Sequence, residues 1–99
     1  MGQKLSPQDN ELYRRCDEVL HYLWDPIGVR EAPGARGEYD SYLPRVFWLV
    51  RGQATADAIA DYLVTVERDH MRLSPAPDRA RKIAAILIEC REWIDWAAA

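Results

Sequence analysis

The chain has 99 residues, which is room for one hydrophobic core and not two, so a single domain is expected. Its hydrophobic fraction of 48% is ample for that core, and four Trp and five Tyr add large areas to bury. A net charge of −3, with both signs interspersed, gives no general attraction to nucleic acid or to an acidic membrane and mildly favours a basic partner.

Met1 to Leu5 carries no hydrophobic signal core, and no apolar run reaches the length of a membrane span. Neither export nor insertion is expected, and the location expected is cytoplasmic. Cys16 and Cys90 are too far apart in sequence for a zinc or redox motif. They read as reduced core thiols, with a disulfide between the first and last helices as the alternative.

In chain order, Ser6-Pro7-Gln8-Asp9 reads as a helix start. Ser6 can cap, Pro7 suits the first helical position, and Asp9 can complete a capping box facing the positive end of the dipole. Leu12, Cys16, Val19, Leu20 and Leu23 then recur at helical spacing, with His21 towards the polar side. Pro26 forces Asp25 out of helical geometry, so this helix spans about 7–24.

Residues 25–39 hold two Pro and three Gly and keep no periodic pattern. Ile27 and Val29 are expected to pack on the helices, and Glu31 to Gly37 to be exposed and mobile. So long a connection in so small a domain is more often functional than idle.

Asp40 or Ser41 can cap a second helix over about 41–52. Leu43, Val46, Phe47 and Val50 form its stripe, and Gly52 is its terminator. Val46 to Val50 is also a strand-like run. Helix is preferred because the caps fit and the chain offers no partner strand. Thr55 caps a third helix over about 55–70, with Ile59, Leu63, Val66 and His70 on one face. Pro75 and Pro77 break the chain. A last helix over about 76–96 carries the cleanest stripe, Ile83, Ile86, Leu87, Cys90 and Ile94, widened by Trp93. The expectation is an all-α fold: a small four-helix bundle with a long ordered loop between helices 1 and 2. No internal repeat or low-complexity tract is visible.

Asp25, Glu38 and Asp40 flank the loop. Clustered carboxylates can hold a hard cation, share a proton or present an acidic patch, yet Asp beside Pro or before a helix is also an ordinary structural choice. Asp17, His21 and Asp25 have metal-site spacing, but Asp25 lies beyond the helix, and a solvated or ion-paired His21 is the preferred reading. His70 near a helix end complements the dipole.

Trp24 and Trp48 are expected to seal the open end of the bundle. For Tyr39 and Tyr42, packing and partner contact stand even. Trp93 and Trp96 pose the same question, and exposure of Trp96 would suggest a dimer contact. Arg79, Arg81 and Lys82 sit at a helix start, where Glu67 or Asp69 could offset them. No aromatic-basic stripe accompanies them, so nucleic-acid binding is not expected. No phosphate loop, nucleophile elbow or Cys-His zinc pattern is present, and no catalytic residue, cofactor or metal is assigned.

Trp24-Asp25-Pro26-Ile27-Gly28, then Glu38-Tyr39-Asp40, then Met71-Arg72-Leu73, resembles the elements W-D-P-I-G, D-E-Y-D and M-G-L of a small bacterial family of uncharacterised helical proteins. The likeness runs from the first helix to the last. The first two elements are fairly specific together and the third is weak. The chain departs from the pattern at Gly37, where an acid is usual, and at Arg72, where Gly is usual, which suggests a different turn after the third helix. The resemblance implies an all-helical bacterial cytoplasmic protein, and some proteins of this kind are thought to act as immunity proteins beside toxin genes.

The function expected first is a protein-binding module, in its sharpest form an immunity protein neutralising a toxin, with Asp25, Glu38, Tyr39, Asp40 and Tyr42 as partner-binding residues. A small-molecule or metal-binding protein using the acidic cluster is the second expectation. A self-associating protein, dimeric through Trp93 and Trp96, is the third.

Overall fold

The structure is a computed structural model that describes residues 5–99. The expectation for the N-terminal segment falls, but for Leu5, outside the described residues. Four helices carry the fold: α1 (Pro7–Glu18), α2 (Leu43–Arg51), α3 (Ala56–Thr65) and α4 (Pro77–Ala98). The described residues are all-α, and the long α4 packs against the other three. No helix among them is long and apolar enough to cross a membrane.

Local chemistry sets the helix starts. Ser6 Oγ accepts the amide of Asp9 at 3.1 Å, with Pro7 in the first helical position. Thr55 Oγ1 accepts the amide of Ala58 at 3.1 Å at the start of α3. The capping box at α1 is only half made. The Asp9 carboxylate turns instead to Arg51 Nε at 2.9 Å, and Arg51 Nη1 reaches Asp95 at 3.0 Å, so one guanidinium ties α1, α2 and α4 together. Neither Asp40 nor Ser41 caps α2. The helix begins at Leu43, after Tyr42, without a side-chain cap. The strand-like run is helical, as preferred, with Leu43, Val46, Phe47 and Val50 buried. At its end the left-handed residue is Gln53 (φ 63°) and not Gly52.

Both α1 and α3 run on into a wider π-helical turn, Val19–Trp24 after α1 and Val66–His70 after α3. Hydrogen bonds five residues apart mark them: Asp25 N to Leu20 O at 3.0 Å, and Met71 N to Val66 O at 2.9 Å. Each turn takes an extra residue, so the buried stripe slips. After α1, His21 and Trp24 go inside, while Leu23 stands half exposed. This corrects the expected places of His21 and Leu23. After α3, Glu67 goes inside and His70 out, which corrects the expected face of His70.

Side chains from all four helices join one core, with Leu12, Val46, Ile59, Leu63 and Leu87 fully enclosed. Cys16 is buried in it and Cys90 lies at its edge, both as free thiols. Burial pushes the Cys16 thiol up to about 12, so it carries no thiolate at neutral pH. Trp48 does not seal the bundle. It is 54% exposed, and Trp93 stands out from the α4 stripe at 63%.

Candidate functional site

Two parts of the molecule concentrate aromatic and charged residues. The first is the pole where the π turns meet the 25–42 loop. Asp25 leaves the helix in the left-handed region (φ 33°), which Asp tolerates because its short carboxylate bonds locally. Its Oδ1 accepts the amide of Val29 at 2.8 Å and the hydroxyl of Tyr39 at 2.7 Å, and its Oδ2 accepts the amide of Arg30 at 3.1 Å. The Tyr39 hydroxyl in turn accepts the amide of Ile27 at 3.1 Å. The carboxylate is thus a clasp that closes the start of the loop on itself. Desolvation alone would raise the Asp25 carboxyl, but the hydrogen bonds from Tyr39, Val29 and Arg30 outweigh it and hold the group below its ordinary range. Burial, and then the bond to Asp25, push the Tyr39 hydroxyl well above its ordinary value.

Trp24 packs against Tyr39 at 5.3 Å and, edge-on, against Tyr42 at 6.4 Å. Its indole N–H donates to Glu67 Oε2 at 2.7 Å. The other oxygen, Oε1, accepts the amide of Ala76 at 2.9 Å, just before α4 begins. Glu67 therefore joins both π turns to the start of α4 from inside. It offsets none of the basic group on α4, where Arg81 pairs with Asp78 instead. Sequence reading missed this role. The signal was an acid four residues after Leu63 on the apolar stripe of α3.

The loop's remainder is a chain of tight turns, with amide-to-carbonyl bonds three residues apart from Ala32 to Leu43. Residues 31–37 are largely exposed, as expected, yet the segment is pinned rather than loose. Both Nη atoms of Arg36 reach Asp17, at 3.0 and 2.9 Å, and its guanidinium lies 5.4 Å from the Tyr22 ring.

The five residues expected to meet a partner thus divide. Tyr39 is only 3% exposed, and the oxygens of Asp25 are committed to the loop, so these two are turned inward. Glu38 and Asp40 are exposed, and Tyr42 is half-buried, 6.1 Å from the His70 ring. The three acids do not gather. Among the described residues no three of His, Cys, Asp and Glu come together as a metal site. His21 Nε2 donates to the carbonyl of Arg30 at 3.2 Å, and Asp17 is engaged with Arg36, so the helical spacing of these two assembles nothing. A polar cleft of about 380 Å³ opens beside this pole, with Leu23, Trp24, Asp25, Arg30, Glu31 and Arg79 at its walls.

The second part is the face shared by α1 and the C-terminal half of α4. Trp93 and Trp96 lie 5.2 Å apart with their rings inclined by 31°, and are 63% and 69% exposed. Two shallow clefts flank Trp93. One, of about 390 Å³, is lined by Arg15, Ile86, Glu89, Cys90, Trp93 and Ile94. The other, of about 360 Å³, continues along Pro7, Glu11 and Ala97. Large indoles stacked on a surface, with no polar partner for their N–H groups among the described residues, are what interface anchors look like.

Comparison with protein-family models, with curated proteins and with solved structures finds no match for this chain.

Proposed function

We propose that the protein is a protein-binding module that works by docking and not by catalysis. The observation that carries this is the Trp93–Trp96 pair, which leaves two indoles more than half exposed between clefts that could receive apolar side chains. Contiguous apolar surface of this kind is costly to leave in water and marks contact sites. The inert Cys16 thiol and the fully engaged Asp25 carboxylate fit the same reading, because neither is poised to move a proton or attack a substrate.

Glu38 and Asp40 supply a second, acidic contact. Both are exposed and neither is ion-paired among the described residues, which suits a basic partner. This corner is where a toxin would bind in the immunity-protein form of the proposal, in a cytoplasmic protein.

A photo-crosslinking residue placed at Trp96 in the intact chain, within cells that make it, tests the reading. A discrete protein adduct at Trp96, and none from the same group at exposed Asp61 on α3, is expected. Equal labelling at both positions, or none at Trp96, would count against a docking role for this face.

A further inference from the structure

The α4 surface carries a second seam beside its core stripe. Lys82, Ile86, Glu89, Trp93 and Trp96 follow one another at steps of four, three, four and three residues. That spacing keeps them in one line along a helix and is the pattern by which one helix lies along another. All are exposed except Ile86, which is half-buried. α4 is unbroken over the whole stretch, so the seam runs roughly 21 Å at about 1.5 Å per residue.

The charges on the seam choose its occupant. Neither Lys82 nor Glu89 has an ion-pair partner among the described residues. Arg15, on α1, lines the same cleft as Glu89 and Trp93. It holds Glu11 through Nε alone, at 2.9 Å, and its terminal nitrogens have no other bond among the described residues. A parallel second helix of the same sequence would set Lys82 on Lys82. A two-fold axis near Glu89 reverses the order. It brings Lys82 of each copy to Trp96 of the other, and Ile86 to Trp93. The two Glu89 carboxylates then meet between two Arg15 guanidiniums, whose terminal nitrogens are not taken up by Glu11. Lys82 over an indole is a favourable cation–π contact, and Trp93 fills the apolar end of the facing cleft.

Resting on the docking role argued above, we propose that the tryptophan face seats a second copy of this chain, with the two α4 helices antiparallel and Arg15 of each copy on Glu89 of the other. The seam is short for an interface, so the dimer is reversible, forming at roughly tens of micromolar and dissociating well below that. The exposed Glu38–Asp40 corner belongs to the loop and not to this face, so pairing leaves it to a different partner.

Sedimentation velocity of the full chain, from about 1 to about 500 µM, reads the equilibrium directly. The expected result is a shift from one chain to two across that range. Trp93→Ala with Trp96→Ala should weaken pairing at least tenfold, and Trp48→Ala, an exposed Trp on α2, should leave it unchanged. Glu89→Arg should also weaken it at least tenfold, and adding Arg15→Glu should restore most of the loss. Far-UV circular dichroism of each variant confirms that it is folded. A single-chain species at every concentration overturns the proposal. So does a dimer indifferent to Trp93 and Trp96, or a charge swap that restores nothing. A single-chain species that still gives a Trp96 adduct to another protein would remove self-pairing and leave the docking role standing.

Discussion

Trp24 and Trp93 are the same residue type in two opposite circumstances. Trp24 is fully enclosed, with its indole N–H on Glu67 and its ring between Tyr39 and Tyr42. Trp93 is mostly in solvent, with no protein acceptor for its N–H among the described residues. The difference is not one of hydrophobicity. The loop pole can bury an indole, a carboxylate and a phenol because each polar atom meets another within the chain. On the α1/α4 face the indole N–H groups of Trp93 and Trp96 meet no acceptor among the described residues, and the rings stay largely in solvent. At the pole Trp24, Tyr39, Asp25 and Glu67 satisfy one another from within, while His21 Nδ1 is buried there without a partner; the indoles of the α1/α4 face are left open.

Alanine at each tryptophan gives the widest test of this contrast. Trp24→Ala should cost about 4 kcal/mol of unfolding free energy, through lost burial and a Glu67 Oε2 left without its donor. Trp93→Ala should change it by less than about 0.5 kcal/mol. Urea titrations followed by far-UV circular dichroism measure both. Comparable losses would erase the distinction. Glu67→Ala comes next, at about 3 kcal/mol, because it orphans the Trp24 indole N–H and the Ala76 amide together.

Tyr39→Phe should cost about 1–2 kcal/mol, since it removes one donor to Asp25 and one acceptor for Ile27. The same clasp predicts a pH dependence. The folded Asp25 carboxyl titrates below its ordinary value of 3.8, so its contribution is complete above that value and is lost as pH falls through the lower folded one. Asp25→Asn should therefore be less stable than wild type at neutral pH, with the gap closing as pH is lowered from about 5 towards about 2. A gap that stays constant over that range would mean that the clasp does not depend on ionised Asp25.

Much of the fold was legible in the chain. Ser6 and Thr55 could be read as caps because capping needs only a side-chain oxygen three residues from an amide. The strand-like Val46 to Val50 could be read as helix because nothing else could pair with it. The slips at His21, Leu23, Glu67 and His70 were not legible, because a π turn is one added residue held by tertiary packing, with no composition of its own. The candidate site was legible to the same depth. Asp25 could be seen leaving the helix before Pro26, but the aim of its carboxylate is set by Tyr39, fourteen residues on. Whether Trp93 and Trp96 widen the core or face solvent turns on how far α1 covers α4, which periodicity alone does not give.

Arg72 offers the smallest and sharpest check. It adopts φ 58°, the left-handed region that glycine enters freely. The Arg72→Gly variant should be more stable by about 1 kcal/mol, in contrast to the losses at the pole. A loss of stability in thermal unfolding would show that the Arg72 side chain contributes contacts that outweigh this strain.

Hydrogen exchange at the four indole N–H groups, followed by NMR in dilute full-length protein, tests the central contrast most directly. The structure predicts one slow indole, Trp24, exchanging orders of magnitude more slowly than Trp48, Trp93 and Trp96. A Trp24 indole that exchanges as fast as the other three would contradict the account.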